Sequence, residues 1–191
     1  MPDINNCEVG IVTLHQALAP EEDEISVGVP RFLDSQLKDE SKYRLRHLNY
    51  YDQTNPAPKL SGILTSEVSK AFTGYRGNLY LDEYVAGLND DAVYSQIDTA
   101  VSDLQAEGCQ DVVLVGESLG AVMGLRYLDS NPTSSVKGMA GWYPHYEFPQ
   151  VVKNAGKKPP NLEFVTSPTI LFYGAEDTVV DQNGSAENIE A

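Results

Sequence analysis

The stretch that most restricts the fold runs from Asp111 to Asp129. It opens with DVVLV, residues 111–115, a short unbroken apolar run of the kind buried on both faces of a parallel sheet. Gly116-Glu117-Ser118-Leu119-Gly120 follows at once, and residues 119–129 leave it with helical periodicity. A buried strand that turns directly into a helix demands strands beside it and helices above and below. The glycines two positions either side of Ser118 permit a turn too sharp for larger neighbours. The serine hydroxyl is then expected to project at the carboxyl end of the sheet. The backbone N–H of Leu119, heading the helix, would point where an oxyanion forms. A glycine-rich strand–helix turn with an incidental serine is the plainer account of the same residues.

The rest of the chain alternates in the same way. Residues 7–14 (CEVGIVTL) read as a β-rich apolar strand, and 43–50 as a more polar, peripheral one. Residues 30–40 read as a helix, with Val29, Phe32, Leu33 and Leu37 on one face and Pro30 in its first turn. Residues 92–107 form the clearest helix: Val93, Ile97, Ala100, Val101 and Leu104 share a stripe. Asp90 or Asp91 can cap its start and Gly108 can end it. Strands are expected again at 136–143 (VKGMAGWY) and, as a buried strand, at 168–173 (PTILFY). The pattern predicts an α/β fold: a mostly parallel sheet of about five strands with helices on both faces. Residues 1–191 are expected to form a single domain, since the length suits one core. Residues 52–89, with Pro56, Pro58, Gly62, Gly74, Gly77 and Gly87 among Tyr75, Tyr80 and Tyr84, read as a long irregular connection. Residues 153–160 (KNAGKKPP) read as a surface connection.

Composition narrows the partners. With 28 acidic against 13 basic residues the formal charge is −15, so nucleic acid and anionic membrane surfaces are disfavoured for want of a basic footprint. No apolar run approaches the roughly twenty residues of a membrane span, and the first residues lack a basic leader and a long apolar core. The expected location is cytoplasmic. Cys7 and Cys109 stand far apart with no CxxC or Cys/His cluster, which reads as two reduced, buried thiols and excludes a structural zinc site. No GxGxxG or GK[ST] phosphate loop is present, so neither a cofactor nor a metal is implied.

With the GESLG turn between strand and helix, the sequence resembles the α/β-hydrolase superfamily, over most of the chain from about residue 7 to 181. The resemblance implies further roles. The strand end IVTLHQ, residues 11–16, is similar to the one that precedes the family's oxyanion loop. The backbone N–H of Gln16 or Ala17 would then supply a second oxyanion donor beside Leu119. PTILFYGAED, residues 168–177, is similar to the late strand that ends in the triad acid, which makes Asp177 the acid beside the nucleophile Ser118. Asp177 also reads simply as a helix cap. The His-Gln pair, the small size and residues 136–143 look most like the dienelactone-hydrolase group, although that group usually carries cysteine where this chain has Ser118.

One departure from the family pattern bears on chemistry. The family's catalytic histidine follows the acid, and no histidine follows Asp177 here. Serine is a poor nucleophile without a base, and losing the triad histidine costs on the order of 10⁶ in turnover in a well-studied serine protease. Three histidines remain. His15 resembles the residue that braces the oxyanion loop. His145, after the strand at 136–143, is the candidate replacement base and reads equally as a surface histidine. His47, on a probable strand, reads as a structural histidine.

The chain also stops where the family has one more strand. That leaves Pro168 to Tyr173 at the sheet edge and predicts either homo-oligomer pairing along this edge or marginal stability. The functional expectation is a serine esterase acting on a small carboxylic ester or lactone through an acyl-enzyme. The rival expectation is a non-catalytic, hydrolase-like binding protein, and a blander one a shortened gene product without activity.

Overall fold

The computed structural model describes residues 7–14, 28–39, 42–48, 89–142, 156–158 and 160–172. Five parallel strands form one sheet: Val9–Leu14 (β1), Tyr43–Leu48 (β2), Asp111–Glu117 (β3), Gly138–Trp142 (β4) and Thr169–Phe172 (β5). Their order is β2-β1-β3-β4-β5, so the expected α/β architecture is the one observed. DVVLV lies in the central strand, which explains its unbroken apolar character: a strand with neighbours on both sides and helix-covered faces has no solvent-facing row. The chain leaves β1 toward one edge, returns to β3 and then builds toward the other. The carboxyl ends of β1 and β3 therefore flank a topological switch point, where open α/β sheets bind ligands.

Three described helices cover this sheet: Gly28–Gln36 (α1), Asp90–Ala106 (α2) and Leu119–Ser130 (α3). Side chains alternate along β1, and the alternation assigns the faces. A Cβ on Gly10 would meet Leu104 of α2, and one on Gly124 of α3 would approach Leu14. Even-numbered positions of β1 thus face α2 and α3. Thr13, between them, faces the other way and bonds His47, which in turn bonds Asp34 of α1. The core lies mainly under α2 and α3. The predicted stripe Val93, Ile97, Ala100, Val101 and Leu104 is buried throughout, and α3 is buried from Leu119 to Leu128. Each fully buried aliphatic side chain contributes roughly 1.5–3 kcal/mol.

The ends of α2 show local chemistry at work. Gly108 has φ 91°, and the N–H groups of Gly108 and Cys109 donate to the carbonyls of Gln105 and Leu104, each at 3.0 Å. This is a Schellman motif, and it ends the helix where the sequence predicts. The start differs from expectation. Asn89 caps α2, accepting from the N–H of Ala92, while Asp90 is drawn into an ion pair with Arg126. An amide side chain satisfies the helix end as well as a carboxylate does, and leaves the carboxylate for the buried cation. α1 also ends at Gln36, short of the expected residue 40.

Two further expectations are corrected. Cys7 and Cys109 are not reduced thiols; they form a disulfide, with Cα atoms 4.2 Å apart. Their sequence separation of 102 is the same offset that pairs Val9 with Asp111 in the β1–β3 register. Parallel pairing brings level two residues that are remote in the chain, and the redox argument for a reducing compartment goes with the thiols. No helix among the described residues is long and apolar enough to cross a membrane. β5, expected to be a buried strand, alternates instead: Ile170 is 60% exposed and Phe172 44%. It is the last strand of the described sheet, and α3 covers only the face that carries Leu171.

Candidate active site

Ser118 sits between β3 and α3, at the carboxyl end of the central strand. Its backbone has φ 51° and ψ −115°, and it is the only non-glycine among the described residues with positive φ. The ψ value takes it out of the ordinary left-handed well, a conformation costing about 1–3 kcal/mol unless its surroundings impose it. They do. The Ser118 N–H donates to the carbonyl of Trp142 at 2.8 Å, and the Ser118 carbonyl accepts from Ala121 at 3.1 Å. Leu119 is fully buried and pins the first turn of α3 to the core. Gly116 makes the turn sterically feasible: a Cβ there would lie 2.5 Å from the backbone nitrogen of Ala121.

A serine preceding a helix ordinarily caps it through its hydroxyl. Ser118 makes no such side-chain hydrogen bond, and it is partly exposed. The Leu119 and Gly120 amides open the helix and have no acceptor within it. Hydroxyl and helix N-terminus thus meet at the switch point, the arrangement that nucleophilic attack on a carbonyl needs.

The other predicted site residues fall differently. Gln16, Ala17, His15, His145 and Asp177 lie outside the described residues. Leu14 ends β1 paired with Gly116, and Phe172 ends β5 paired with Trp142, itself paired with Glu117. His47 is described, and it is engaged elsewhere. Its Nδ1 lies 2.6 Å from the Thr13 hydroxyl and its Nε2 3.1 Å from an Asp34 carboxylate oxygen. With Nε2–H donating to the carboxylate, Nδ1 accepts from the threonine. This chain of bonds ties α1 to β1 and β2. Register sets His47 level with Thr13, and Thr13 level with Val115. His47 is therefore two strands over and three residues short of Ser118, about 10 Å in each direction, beyond proton-transfer reach. The sequence reading of His47 as structural agrees with this position.

A second network, which sequence reasoning missed, holds the helix that carries Ser118. Arg126 of α3 is buried, and its two terminal nitrogens bind the two Asp90 oxygens at 3.0 and 2.7 Å. Its Nε donates to the Lys158 carbonyl, and Lys157 adds a bond to Asp90 at 2.9 Å. Burial works against the charge on Asp90. The hydrogen bonds and charges of Arg126 and Lys157 outweigh it and hold the carboxyl below its ordinary range. Burial also raises Tyr127, reinforced by the Asp98 carboxylate that accepts its hydroxyl at 2.6 Å. The only local signal of this clamp was an arginine following the apolar run Leu119–Leu125 of α3.

Comparisons with known proteins bear on the architecture. No family model matches the sequence, and no curated protein sequence matches it. Among solved structures, the chain is similar to an esterase of Pyrococcus furiosus, with TM-score 0.54. Identity is 16%, and the match covers 97% of this chain and 69% of the esterase. The likeness is one of fold. It is consistent with the α/β-hydrolase-like sheet expected from the GESLG turn.

Proposed function

We propose that this protein is a serine hydrolase acting on a small carboxylic ester or lactone, with Ser118 as nucleophile. The observation that carries the proposal is the backbone of Ser118, strained at φ 51° with its hydroxyl left out of the helix cap. Strain of this kind clusters at active sites. The fold of the Pyrococcus furiosus esterase supports the reading.

In the proposed reaction the Ser118 Oγ attacks the ester carbonyl and loses its proton to a base. The Leu119 N–H, with that of Gln16 or Ala17, receives the charge on the carbonyl oxygen. Collapse expels the alcohol, which takes up the proton, and water then hydrolyses the acyl-serine. Asp177 orients the base, for which His145 is the candidate in this chain. The mechanism draws on no cofactor. The dienelactone-hydrolase-like character suggested by the sequence belongs to the same proposal.

A second reading, ligand binding without turnover, is favoured by one observation. The one histidine among the described residues, His47, is committed to Thr13 and Asp34. A fluorophosphonate probe separates the two. Labelling of the native chain that vanishes in Ser118→Ala, together with turnover of short 4-nitrophenyl esters, supports the hydrolase. A native, folded chain that neither labels nor turns over supports the binding protein.

A further inference from the structure

We propose that Trp142 and Phe172 form the surface that selects the substrate, and that they favour an ester carrying a flat, uncharged aryl group. The proposal rests on Ser118 being the nucleophile, and it concerns what lies beside it. The Trp142 carbonyl accepts the Ser118 N–H at 2.8 Å, so the backbone of Trp142 is locked against the reactive turn. Register sets Trp142 level with Glu117, one strand away, and with Phe172 on its other side. The two rings stack with centroids 4.7 Å apart and planes 22° from parallel.

Parity along β4 assigns the face. A Cβ on Gly124 would meet Met139, and one on Gly141 would meet Ala121, so Met139 and Gly141 face α3. Ala140 and Trp142 face the opposite way, with Ile170 and Phe172 beside them. On the α3 face the packing is tight. On the opposite face Phe172 keeps 44% and Ile170 60% of its surface exposed, and Trp142 is only partly buried. Exposed apolar side chains on strand ends that lead to the Ser118 turn suit a ligand surface better than a core. Stacked rings present polarised faces and edges that prefer another ring to an alkyl group of equal size. The formal charge of −15 disfavours an anionic substrate.

The protein contains a single tryptophan, so fluorescence excited beyond the tyrosine absorption band reports on this position alone. In Ser118→Ala, titration with 4-nitrophenyl acetate is expected to quench Trp142 saturably, and Phe172→Ala in the same background to weaken that binding. In the active chain, 4-nitrophenyl acetate and phenyl acetate are expected to show lower KM than cyclohexyl acetate. Phe172→Ala and Trp142→Ala are expected to raise the aryl KM roughly tenfold with kcat little changed, and Trp142→Phe to restore most of it. The absence of saturable quenching in Ser118→Ala overturns the proposal, with or without fluorophosphonate labelling of the native chain. Saturable quenching in a chain that does not label leaves the surface standing and removes the hydrolase. A fluorescence shift that follows protein concentration instead of ester would mean that a second copy covers these rings, and it too overturns the proposal.

Discussion

At the amino end of the β1–β3 pair, Cys7 and Cys109 are joined covalently, and Gln110 N–H donates to the Cys7 carbonyl. At the carboxyl end of the same pair, Ser118 holds positive φ with an uncapped hydroxyl above Gly116. One end is cross-linked; the other is held in a costly turn by its neighbours. A strained turn survives only where the surroundings over-determine it. Here the buried Leu119, the Trp142 carbonyl and the Arg126–Asp90 clamp on α3 do so. The proposed function puts the chemistry at the carboxyl end and leaves the amino end to stability, and mutations can test whether the two are separable.

The largest expected effect is at the carboxyl end. On the proposed hydrolase reading, Ser118→Ala should abolish fluorophosphonate labelling and reduce ester turnover on the order of 10⁶-fold without loss of stability. A melting temperature unchanged or raised, with activity gone, would sharpen the contrast. Next, Asp90→Ala leaves Arg126 buried without its carboxylate and should cost about 3–5 kcal/mol by denaturant unfolding. If Asp90→Ala leaves stability unchanged, α3 is held by packing alone.

Replacing both cysteines by alanine should cost about 2–5 kcal/mol, yet leave labelling of Ser118 intact below the melting temperature. Loss of labelling in the folded double variant would break the separation of the two ends. Gly116→Ala places a Cβ 2.5 Å from the Ala121 nitrogen and should cost about 1–3 kcal/mol. It should also displace the elbow, so labelling falls although Ser118 remains. The smallest effect is in pH. The Asp90 carboxyl is held below 3.8 in the fold, so the unfolded chain binds more protons just under that value. The clamp's contribution is present above about pH 3.8 and lost as pH falls through the lowered value. Asp90→Asn should flatten that part of the unfolding profile.

The backbone setting of Ser118 was legible because its determinants are local. DVVLV, the flanking glycines and the apolar helix after Ser118 act within a few residues of one another, so strand, turn and helix can be read in order. The Schellman end of α2 follows from Gly108 in the same way. Asn89 was missed as the cap because three polar residues stand together there, and only the position of Arg126 decides which of them is drawn away. The exposure of β5 was missed because an apolar run looks alike whether one face or both are covered. Val112 and Leu114 lie in the central strand on the face that α3 covers, whereas Ile170 and Phe172 lie in the last strand of the described sheet on the face away from α3.

The sequence by itself determined the elements, their α/β alternation and the turn that bears Ser118, because backbone preference and glycine geometry act over short range. Only the tertiary structure decided that Cys7 meets Cys109, that His47 serves Thr13 and Asp34, and that Trp142 stands beside Ser118. Each of those depends on strand order and register. These are set by how the whole core packs, and no window of neighbouring residues contains them.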